Sequence, residues 1–338
     1  MTKKTTIKDI AKALDTNIST VSRALNDSPL ISPKTKKEVL EMAKKLNYSP
    51  NSIARQLREG KSRTIGLLVP RINREFFSNI IHAVQTYAHK KGYRVLLMQS
   101  NESHEDEKAA LDVLISQNVA GIIMSRALDS RDEELTKGLP KQEIPLVMMD
   151  RVIRKEGISA IVNDNELGAF LAVEHLIEQG YRKILHFGGE LDMHIYRERF
   201  EGYKKALAKA GIPYEEARVF KPVLTRKQGE EKMQEILDSK LEFDAIFSSG
   251  DLSALAAYLV LKEQGYRCPE DIGLVGFANE FFTELLGISS VEQFSLEMGE
   301  KASQLLFQKL SGKAPESSFI TLKPELMIRA SSLRKGKN

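Results

Sequence analysis

Residues 6–26 read TIKDIAKALDTNISTVSRALN, and this stretch decides the fold of the N-terminal region. Its first half carries apolar residues at the spacing of one face of a short helix, at Ile7, Ile10, Ala11 and Leu14. After a short break, Asn17 is a suitable N-cap for a second helix. The stretch therefore predicts two short helices joined by a tight turn.

The second predicted helix has one apolar and one polar face. We expect it to bury Val21, Ala24 and Leu25 and to turn outward Ile18, Ser19, Ser22, Arg23 and Asn26. Side chains as small as Ser19, Thr20 and Ser22 would let this helix enter a DNA major groove. The pattern predicts a helix-turn-helix, although an ordinary αα-hairpin has the same two helices.

Length and composition describe a globular chain. Its 338 residues exceed one ordinary core, so two or three domains are expected. Apolar runs are too short for a membrane span, and no apolar stretch follows the first four residues, so no signal peptide is expected. The single cysteine, Cys268, excludes an internal disulfide framework and suits a reducing cytoplasm.

Charge is unevenly distributed. The formal net charge is +4, but residues 1–63 hold fourteen Lys and Arg against six acids, which leaves a mildly acidic remainder. A basic N-terminal region on an acidic body is typical of a DNA-binding module attached to another domain. A solvated basic surface without a partner is the alternative.

A third helix is predicted from Ser32 and Pro33, an N-cap followed by a proline in the first turn. Its expected core face is Val39, Leu40, Met42, Ala43 and Leu46. After Pro50, the segment Ser52 to Arg58 allows at most about two helical turns before Gly60, too few to be stable in isolation.

Three sequence segments carry a family resemblance: TVSRALN at residues 20–26, SPNSIARQL at 49–57 and IGLLVP at 65–70. In order and spacing they resemble the start of a LacI/GalR (lac/purine repressor) family regulator, and a weaker similarity extends over nearly the whole chain. The resemblance implies that Ser52 to Arg58 is a hinge helix that folds when two chains meet on DNA. Leu57 would then wedge into the minor groove, and Ala54 would allow two hinge helices to approach. Packing of Leu57 against its own chain is the alternative.

DNA contacts are expected from the head and the hinge. Arg23 is the best candidate for a bidentate contact to guanine, and Lys3 is a further phosphate contact. The full predicted set is Lys8, Asn17, Ile18, Ser19, Thr20, Ser22, Arg23, Asn26, Asn51, Ala54, Leu57 and Arg58.

From Thr64 onward, short apolar runs alternate with amphipathic stretches, which predicts parallel sheets covered on both faces. The predicted strands are Ile65–Val69, Val95–Met98, Gly121–Met124, Leu146–Met149, Ala160–Val162, Ile184–Phe187, Ala245–Phe247 and Gly273–Phe277, with a strand-rich end at Ser318–Arg329. The predicted helices include Phe76–Lys91, Glu105–Gln117, Leu167–Gln179, Phe200–Ala210, Arg226–Asp238 and Leu252–Gln264.

The fold class expected is therefore α/β: a three-helix helix-turn-helix head and a hinge helix, then a body of doubly wound parallel sheets. The resemblance implies a two-lobed body like that of periplasmic binding proteins, with chain crossings near residues 162, 293 and 323. The expected domains are a head at 1–49 and a hinge and linker at 50–62. The two remaining domains are an N-terminal lobe at 63–162 plus 293–323 and a C-terminal lobe at 163–292 plus 324–338.

Polar residues at the carboxyl ends of the predicted strands are candidates for binding a small molecule between the lobes. The expected effector site is Asn73, Phe76, Phe77, Asp150, Arg151, Arg197, Arg199, Asp251, Asn279 and Gln293. By resemblance, Asp150, Arg199, Asp251 and Gln293 match effector-contacting positions, and Phe76 and Phe77 match a ring-stacking pair. Helix capping is the alternative for Asp251 and for Asp164, and an ordinary surface helix start is the alternative for Arg197 and Arg199.

The chain departs from the family pattern at two positions. Asp15 replaces the usual glycine of the head's turn, which is tolerable because aspartate adopts left-handed conformations. Ala278 replaces a common aspartate, so a main acceptor for sugar hydroxyls is missing. With Arg71, Arg151, Arg197 and Arg199 at strand ends, we expect a ligand that carries a carboxylate or a phosphate.

An enzyme is not expected, because the sequence lacks a nucleophile elbow, a Walker loop and a dinucleotide-binding glycine pattern. Six histidines without ligand spacing and one cysteine predict no metal site, and no cofactor is expected. We interpret the chain as a cytoplasmic, homodimeric, sequence-specific transcription regulator, and we favour a repressor. It would bind a pseudo-palindromic operator, with no membrane partner, under the control of a sugar-like effector. A sugar-binding protein of transport or chemosensing is the rival interpretation, against which the basic three-helix head argues.

Overall fold

The computed structural model describes residues 5–48, 62–130, 144–154, 157–315 and 317–334. The chain forms two compact units, residues 1–61 and residues 62–338, which we call the head and the body. Lys3 and the predicted hinge contacts Asn51, Ala54, Leu57 and Arg58 lie outside the described residues.

The head contains the three predicted helices, α1 (Ile7–Ala13), α2 (Ile18–Leu25) and α3 (Pro33–Lys45). The Asp9 carboxylate begins α1 by accepting hydrogen bonds from the backbone N–H and the hydroxyl of Thr6, both at 2.7 Å. Ser32 caps α3 as predicted, because its hydroxyl accepts the Thr35 N–H at 3.2 Å. The three helices bury a small common core, which includes Ile10, Val21, Ala24, Val39 and Ala43.

One predicted core residue of the head is wrong. Leu40 is 55% exposed, whereas Val39 and Ala43 are buried. Adjacent helical residues lie about 100° apart, so Leu40 falls outside the stripe formed by Val39 and Ala43.

The body contains two six-stranded sheets. The first sheet has the order β11-β5-β4-β3-β1-β2 and the second the order β12-β10-β9-β8-β6-β7. The strands are β1 (Thr64–Val69), β2 (Arg94–Gln99), β3 (Ile122–Met124), β4 (Leu146–Met149), β5 (Ser159–Asn163), β6 (Ile184–Phe187), β7 (Val219–Phe220), β8 (Ala245–Ser248), β9 (Gly273–Ala278), β10 (Ser289–Glu292), β11 (Phe319–Leu322) and β12 (Glu325–Met327). All eight predicted strands are confirmed with ends that differ by one residue at most; β7 and β10 were not predicted.

Pairing within the sheets is parallel except between β10 and β12. In each sheet the first strand of the lobe lies inside and the chain winds outward in both directions, the doubly wound arrangement. Such a sheet binds ligands beyond the carboxyl ends of its strands, near the point where the winding reverses.

Helices cover both faces of each sheet. The body helices are α4 (Glu75–Lys90), α5 (His104–Ser116), α6 (Asn165–Glu178), α7 (His194–Lys209), α8 (Arg226–Ser239), α9 (Asp251–Glu263), α10 (Phe281–Leu285) and α11 (Ser295–Leu310). In the first lobe α4 and α11 share one apolar cluster with the sheet, and α5 packs on the opposite face. In the second lobe α6 and α7 cover one face, and α8 and α9 cover the other.

The predicted start of α7 at Phe200 is wrong. The helix begins at His194, and the three residues of its first turn, His194, Ile195 and Tyr196, are all buried. As a result, Arg197 and Arg199 both lie on this helix.

The chain passes between the two sheets at three places. It leaves the first sheet after β5 and enters the second lobe with α6, returns between β10 and α11, and passes again from β11 to β12. These connections place the carboxyl ends of both sheets at one interlobe cleft.

Candidate functional site

The outward face of α2 is the candidate DNA-reading surface of the head. Ile18 is 45% exposed, and Ser19, Arg23 and Asn26 are exposed too, whereas Val21 is fully buried. Thr20 and Ser22 are half-buried on the same helix. The structure thus presents the predicted base-contacting residues of α2 as one accessible surface.

The remaining predicted head contacts flank α2. Asn17 is its N-cap by backbone conformation, although its side chain makes no cap hydrogen bond. Lys8 is exposed on α1, and the Asn26 side chain donates to the Ser22 carbonyl at 2.5 Å. Asp15, between α1 and α2, has a φ of 46°, so this aspartate does adopt the left-handed turn conformation.

The interlobe cleft of the body holds a cavity of about 280 Å³. This volume lies just below the ~300–1,000 Å³ usual for small-molecule sites. Seven of the ten predicted effector residues line it, namely Phe76, Phe77, Asp150, Arg151, Arg199, Asp251 and Gln293. Arg71 lines it as well.

Three predicted effector residues do not line this cavity. Asn73 and Arg197 are exposed, and Arg197 donates to the Leu191 carbonyl at 3.0 Å. Asn279 lines a second, neighbouring cavity, where its side chain donates to Glu292 at 2.7 Å and accepts from Arg329 at 2.8 Å. Arg197 and Arg199 are two residues apart on α7, so their side chains leave the helix on different faces.

Arg199 is buried in the wall contributed by the second lobe. Its Nε donates to Asn165 Oδ1 at 2.9 Å and one terminal nitrogen donates to the Ser249 carbonyl at 2.7 Å. The guanidinium stacks on Phe277, 3.7 Å from the ring centroid. Loss of solvent on burial lowers the pKa of Arg199, and no carboxylate of the described residues lies within 4 Å of it.

Arg151, in contrast, is already paired within the first lobe. It donates to the Glu102 carboxylate at 2.6 Å, and its Nε lies 3.8 Å from Asp150 Oδ2. Burial raises the pKa of Asp150, and Arg151 and Arg199 oppose that shift. Asp150 has a φ of 58°, a strained conformation that aims its side chain from the end of β4.

The Asp251 side chain cross-links strand β10 to the segment that follows β9 within the second lobe. Its two oxygens accept hydrogen bonds from the Ser290 hydroxyl at 2.7 Å and the Glu280 N–H at 2.9 Å. Burial raises the pKa of Asp251 to about 6, against the effect of these bonds. Gly276 has to be glycine here, because a Cβ would overlap an Asp251 oxygen.

Several lining residues were missed by sequence reasoning, among them Arg74, Glu102, Tyr196, Ser249 and Glu280. Most of them follow the carboxyl end of a strand, so a uniform search of every strand end would have found them. Tyr196 was missed because the start of α7 was placed too late. Burial and the neighbouring Asp251 raise the pKa of Glu280 to about 7.

Contacts also cross between the lobes at the rim of the cleft. The Glu75 carboxylate at the start of α4 accepts the Phe281 N–H of α10 at 2.5 Å. Arg154 of the first lobe forms an ion pair with Glu198 on α7. These contacts join the two lobes at the rim of the cleft.

The described part of the chain contains neither a metal-binding cluster nor a membrane-spanning helix. No group of three or more His, Cys, Asp or Glu side chains in that part of the chain could hold a metal ion. None of the helices there combines the length and apolar character that a membrane span requires.

A helix-turn-helix head together with a two-lobed, ligand-sized cleft defines the class of effector-controlled transcription regulators. Residues 6–51 match the family model for bacterial regulatory proteins of the lacI family. Residues 62–329 match the model for periplasmic binding proteins and the sugar binding domain of the LacI family. The chain belongs to the LacI family.

Relatives and solved structures agree. The HTH-type transcriptional repressor PurR of Pasteurella multocida is 32% identical over 331 residues, which are 96% of this chain and 98% of that protein. The PurR repressor of Mannheimia succiniciproducens is 30% identical with the same coverage. The lac repressor dimer bound to operator and the anti-inducer ONPF is 26% identical with a TM-score of 0.85, over 98% of this chain and all of that one. A complex of the transcriptional regulator CelR with cellobiose is 30% identical with a TM-score of 0.73, over 97% and 100%.

The function follows from the family. The chain is a LacI-type DNA-binding transcriptional repressor with an effector-binding domain, and not an enzyme.

Proposed function

We propose that this repressor acts in the cytoplasm as a homodimer that binds a pseudo-palindromic operator. A sugar or sugar derivative, bound in the interlobe cavity, would set its affinity for that operator. Residues 1–49 would read DNA, residues 50–62 would form the hinge, and the two lobes would follow the boundaries expected from the sequence.

The observation that carries the DNA proposal is the outward face of α2. Ile18, Ser19 and Arg23 are exposed while Val21 and Ala24 anchor the helix in the head's core. A helix held in this way offers its polar face to a groove without any rearrangement of the core. Lys8, Asn17, Thr20, Ser22 and Asn26 would complete the contacts from the head, and Asn51, Ala54, Leu57 and Arg58 those from the hinge.

A dimer is supported by the size of the reading surface and by an apolar face on the body. One short helix reads few base pairs, so a specific site requires two heads related by two-fold symmetry. Phe281 and Leu285 lie one turn apart on α10 and are 64% and 76% exposed. Exposed apolar residues at this spacing favour association with a second copy.

The effector proposal is supported by the aromatic and polar lining of the cavity. Phe76 and Phe77 contribute aromatic rings to the lining, and Arg199 and Gln293 contribute polar side chains. The similar regulator CelR forms a complex with cellobiose, which supports a sugar-like ligand in this chain.

Selection of binding sites from a random DNA pool tests the proposal, with and without a metabolite mixture. We expect enrichment of two inverted half-sites, protected by a species of twice the chain mass in sedimentation, and a change in enrichment when effector is present. Enrichment of a single half-site by a monomer would contradict the dimer. Enrichment that no metabolite fraction alters would contradict effector control.

A further inference from the structure

The first residue of α2, Ile18, is an apolar side chain on a polar surface. It is 45% exposed, and its exposed neighbours on this helix include Ser19 and Arg23. Ile18 does not belong to the apolar cluster that the three helices of the head share. Its side chain therefore leaves apolar area in water on the face that is proposed to bind DNA.

The first residue of α1 provides a contrast. Ile7 is also an isoleucine at the first position of a short helix, but it packs against the core of the head. Helix α2 is held in that core by Val21, Ala24 and Leu25 instead. Packing within the head therefore does not explain why residue 18 is an isoleucine.

Helix geometry places Ile18 beside the other candidate contacts. Residues four apart on a helix differ by about 40° in direction, so Ile18 and Ser22 form one stripe and Ser19 and Arg23 form the next. In a helix-turn-helix, residues near the N-terminus of the second helix contact base edges in the major groove. Because Ile18 is the first helical residue of α2, its side chain is placed to contact a base pair.

An apolar side chain finds one apolar group in the major groove. The base edges present hydrogen-bond donors and acceptors, and among them only thymine adds a C5-methyl group. The Ser19 hydroxyl can bond to donors and acceptors alike, so it discriminates poorly. The Asn26 side chain donates to the Ser22 carbonyl at 2.5 Å, which turns it back toward its own helix. Ile18 therefore adds a selectivity that these polar side chains do not have.

The surroundings of Ile18 favour DNA over a protein as its partner. Residues 1–63 hold fourteen Lys and Arg against six acids, so the head is strongly basic. Positive charge attracts the DNA phosphates whatever the sequence. A single exposed isoleucine is far smaller than the apolar patches that mark protein interfaces, but it can discriminate between bases once DNA is bound.

We propose that Ile18 reads the C5-methyl group of a thymine at one position in each operator half-site. This inference rests on the proposed function and specifies part of the sequence that the operator contains. Isoleucine is branched at Cβ and keeps one main side-chain rotamer in a helix, so it loses little conformational freedom when it contacts the methyl group.

Replacement of single thymines by deoxyuridine tests the inference. The probe is the operator duplex obtained by selection with the full chain, and deoxyuridine removes the methyl group while keeping the base pair. Fluorescence anisotropy measures the affinity. We expect one position in each half-site where the replacement weakens binding by about 3- to 5-fold, the effect of one buried methyl group. Replacement in both half-sites should weaken binding by about 10- to 25-fold, because distant contacts add.

Variants assign the effect to Ile18. Ile18→Ala should bind the thymine and deoxyuridine duplexes equally, and its unchanged binding to random DNA would show that the head remains folded. Ile18→Val keeps the branch at Cβ and should still prefer the thymine duplex by about 2-fold. Leu40→Ala is the matched control, because Leu40 is an aliphatic residue of α3 that is 55% exposed, and it should discriminate like the wild type.

The possible failures are distinguishable. The inference is wrong if deoxyuridine weakens wild-type binding at no position of the selected operator. It is also wrong if Ile18→Ala discriminates as the wild type does, because another residue then contacts the methyl group. In both cases the proposed function stands. If the full chain selects no operator from the pool, the proposed function fails and this inference fails with it.

Discussion

The outward face of α2 and the wall of the interlobe cavity place their candidate functional residues in opposite environments. In the head, Ser19 and Arg23 are exposed, and the fold is held by other residues, Val21 and Ala24. In the body, Arg199 and Asp251 are buried, and each forms at least two hydrogen bonds to its own chain. In the head, the residues proposed to read DNA are separate from those that form the core, whereas in the cavity the side chains proposed to bind the effector also hold the fold together.

This difference predicts how substitutions behave. A change on the α2 face should alter DNA binding and leave stability intact, because exposed side chains contribute little to folding. A change in the cavity wall should alter stability and ligand binding together, because it leaves buried partners unpaired. Each prediction that follows tests one side of this contrast.

The largest effect is expected for Asp251→Ala. The substitution leaves the Ser290 hydroxyl and the Glu280 N–H without their acceptor, which should lower the free energy of unfolding by about 2–4 kcal/mol. Denaturant unfolding monitored by circular dichroism measures it. Asp238→Ala, an exposed aspartate on α8, is the control and should stay within about 0.5 kcal/mol of wild type. Equal stability of the two variants would mean that the hydrogen bonds of Asp251 do not stabilise the fold.

Arg23→Ala should show the converse behaviour. We expect specific operator binding to weaken by about 1–3 kcal/mol, the value of one bidentate contact to a base, with the unfolding curve unchanged. Fluorescence anisotropy on the selected operator and on random DNA measures both affinities. The exposed Lys37 of α3 provides a control, since Lys37→Ala should leave sequence preference unchanged. Equal losses on both DNAs would make Arg23 a phosphate contact.

A smaller, pH-dependent effect is expected in the cavity wall. Burial and Asp251 raise the folded pKa of Glu280 to about 7, and burial raises that of Asp251 to about 6, both above their unfolded values. Below about pH 3 both groups are protonated in either state. As the pH rises the unfolded chain loses these protons first, so the free energy of unfolding falls, and the loss is complete above about pH 8.

Glu280→Gln checks this direction. It removes one of the two ionisations, so it should stabilise the protein at pH 8 by about 1 kcal/mol, after allowance for screening by solvent. At pH 4, where the wild-type side chain is neutral as well, the two proteins should unfold alike. Melting temperatures across pH 4–8 measure the difference, and a variant equally displaced at every pH would show that ionisation is not the cause.

The same contrast explains what the sequence could predict. The head was predictable because its signals are local: apolar residues at helical spacing, the cap at Ser32, and small polar residues opposite Val21. Strand β10 was not, because Ser289 and Ser290 are fully buried through hydrogen bonds to Ser331 and Asp251, about forty residues away. Because β10 begins with two buried serines, it lacks the apolar run from which the other strands were predicted.

The cavity was predictable only as a set of strand ends. Rules for parallel sheets brought Asp150 and Asp251 to the right place, but they do not fix which way a side chain points. Arg197 and Arg199 were indistinguishable until α7 was seen to begin at His194, which puts them on different faces. Whether an arginine is already neutralised, as Arg151 is by Glu102, depends on a residue 49 positions away.

The smallest expected effect concerns the ion pair between Arg154 and Glu198. Loss of this pair should change how readily the cleft opens while leaving the global free energy of unfolding nearly unchanged. This pair joins the lobes, whereas the pair between Lys205 and Glu166 lies within the second lobe, and the two cations are similarly exposed, at 53% and 58%. Exposed pairs contribute about 0–1 kcal/mol, so Arg154→Met and Lys205→Met should both leave global unfolding nearly unchanged.

Their effects on the cleft should differ. The Phe281 N–H bonds to Glu75 across the lobes, so its hydrogen exchange reports opening of the cleft. If both interlobe contacts break when the lobes separate, losing up to about 1 kcal/mol at Arg154 should speed that exchange by up to about 5-fold. Lys205→Met should not change it, because its pair does not span the cleft. Equal exchange in the two variants would show that the Arg154 pair does not contribute to holding the lobes together.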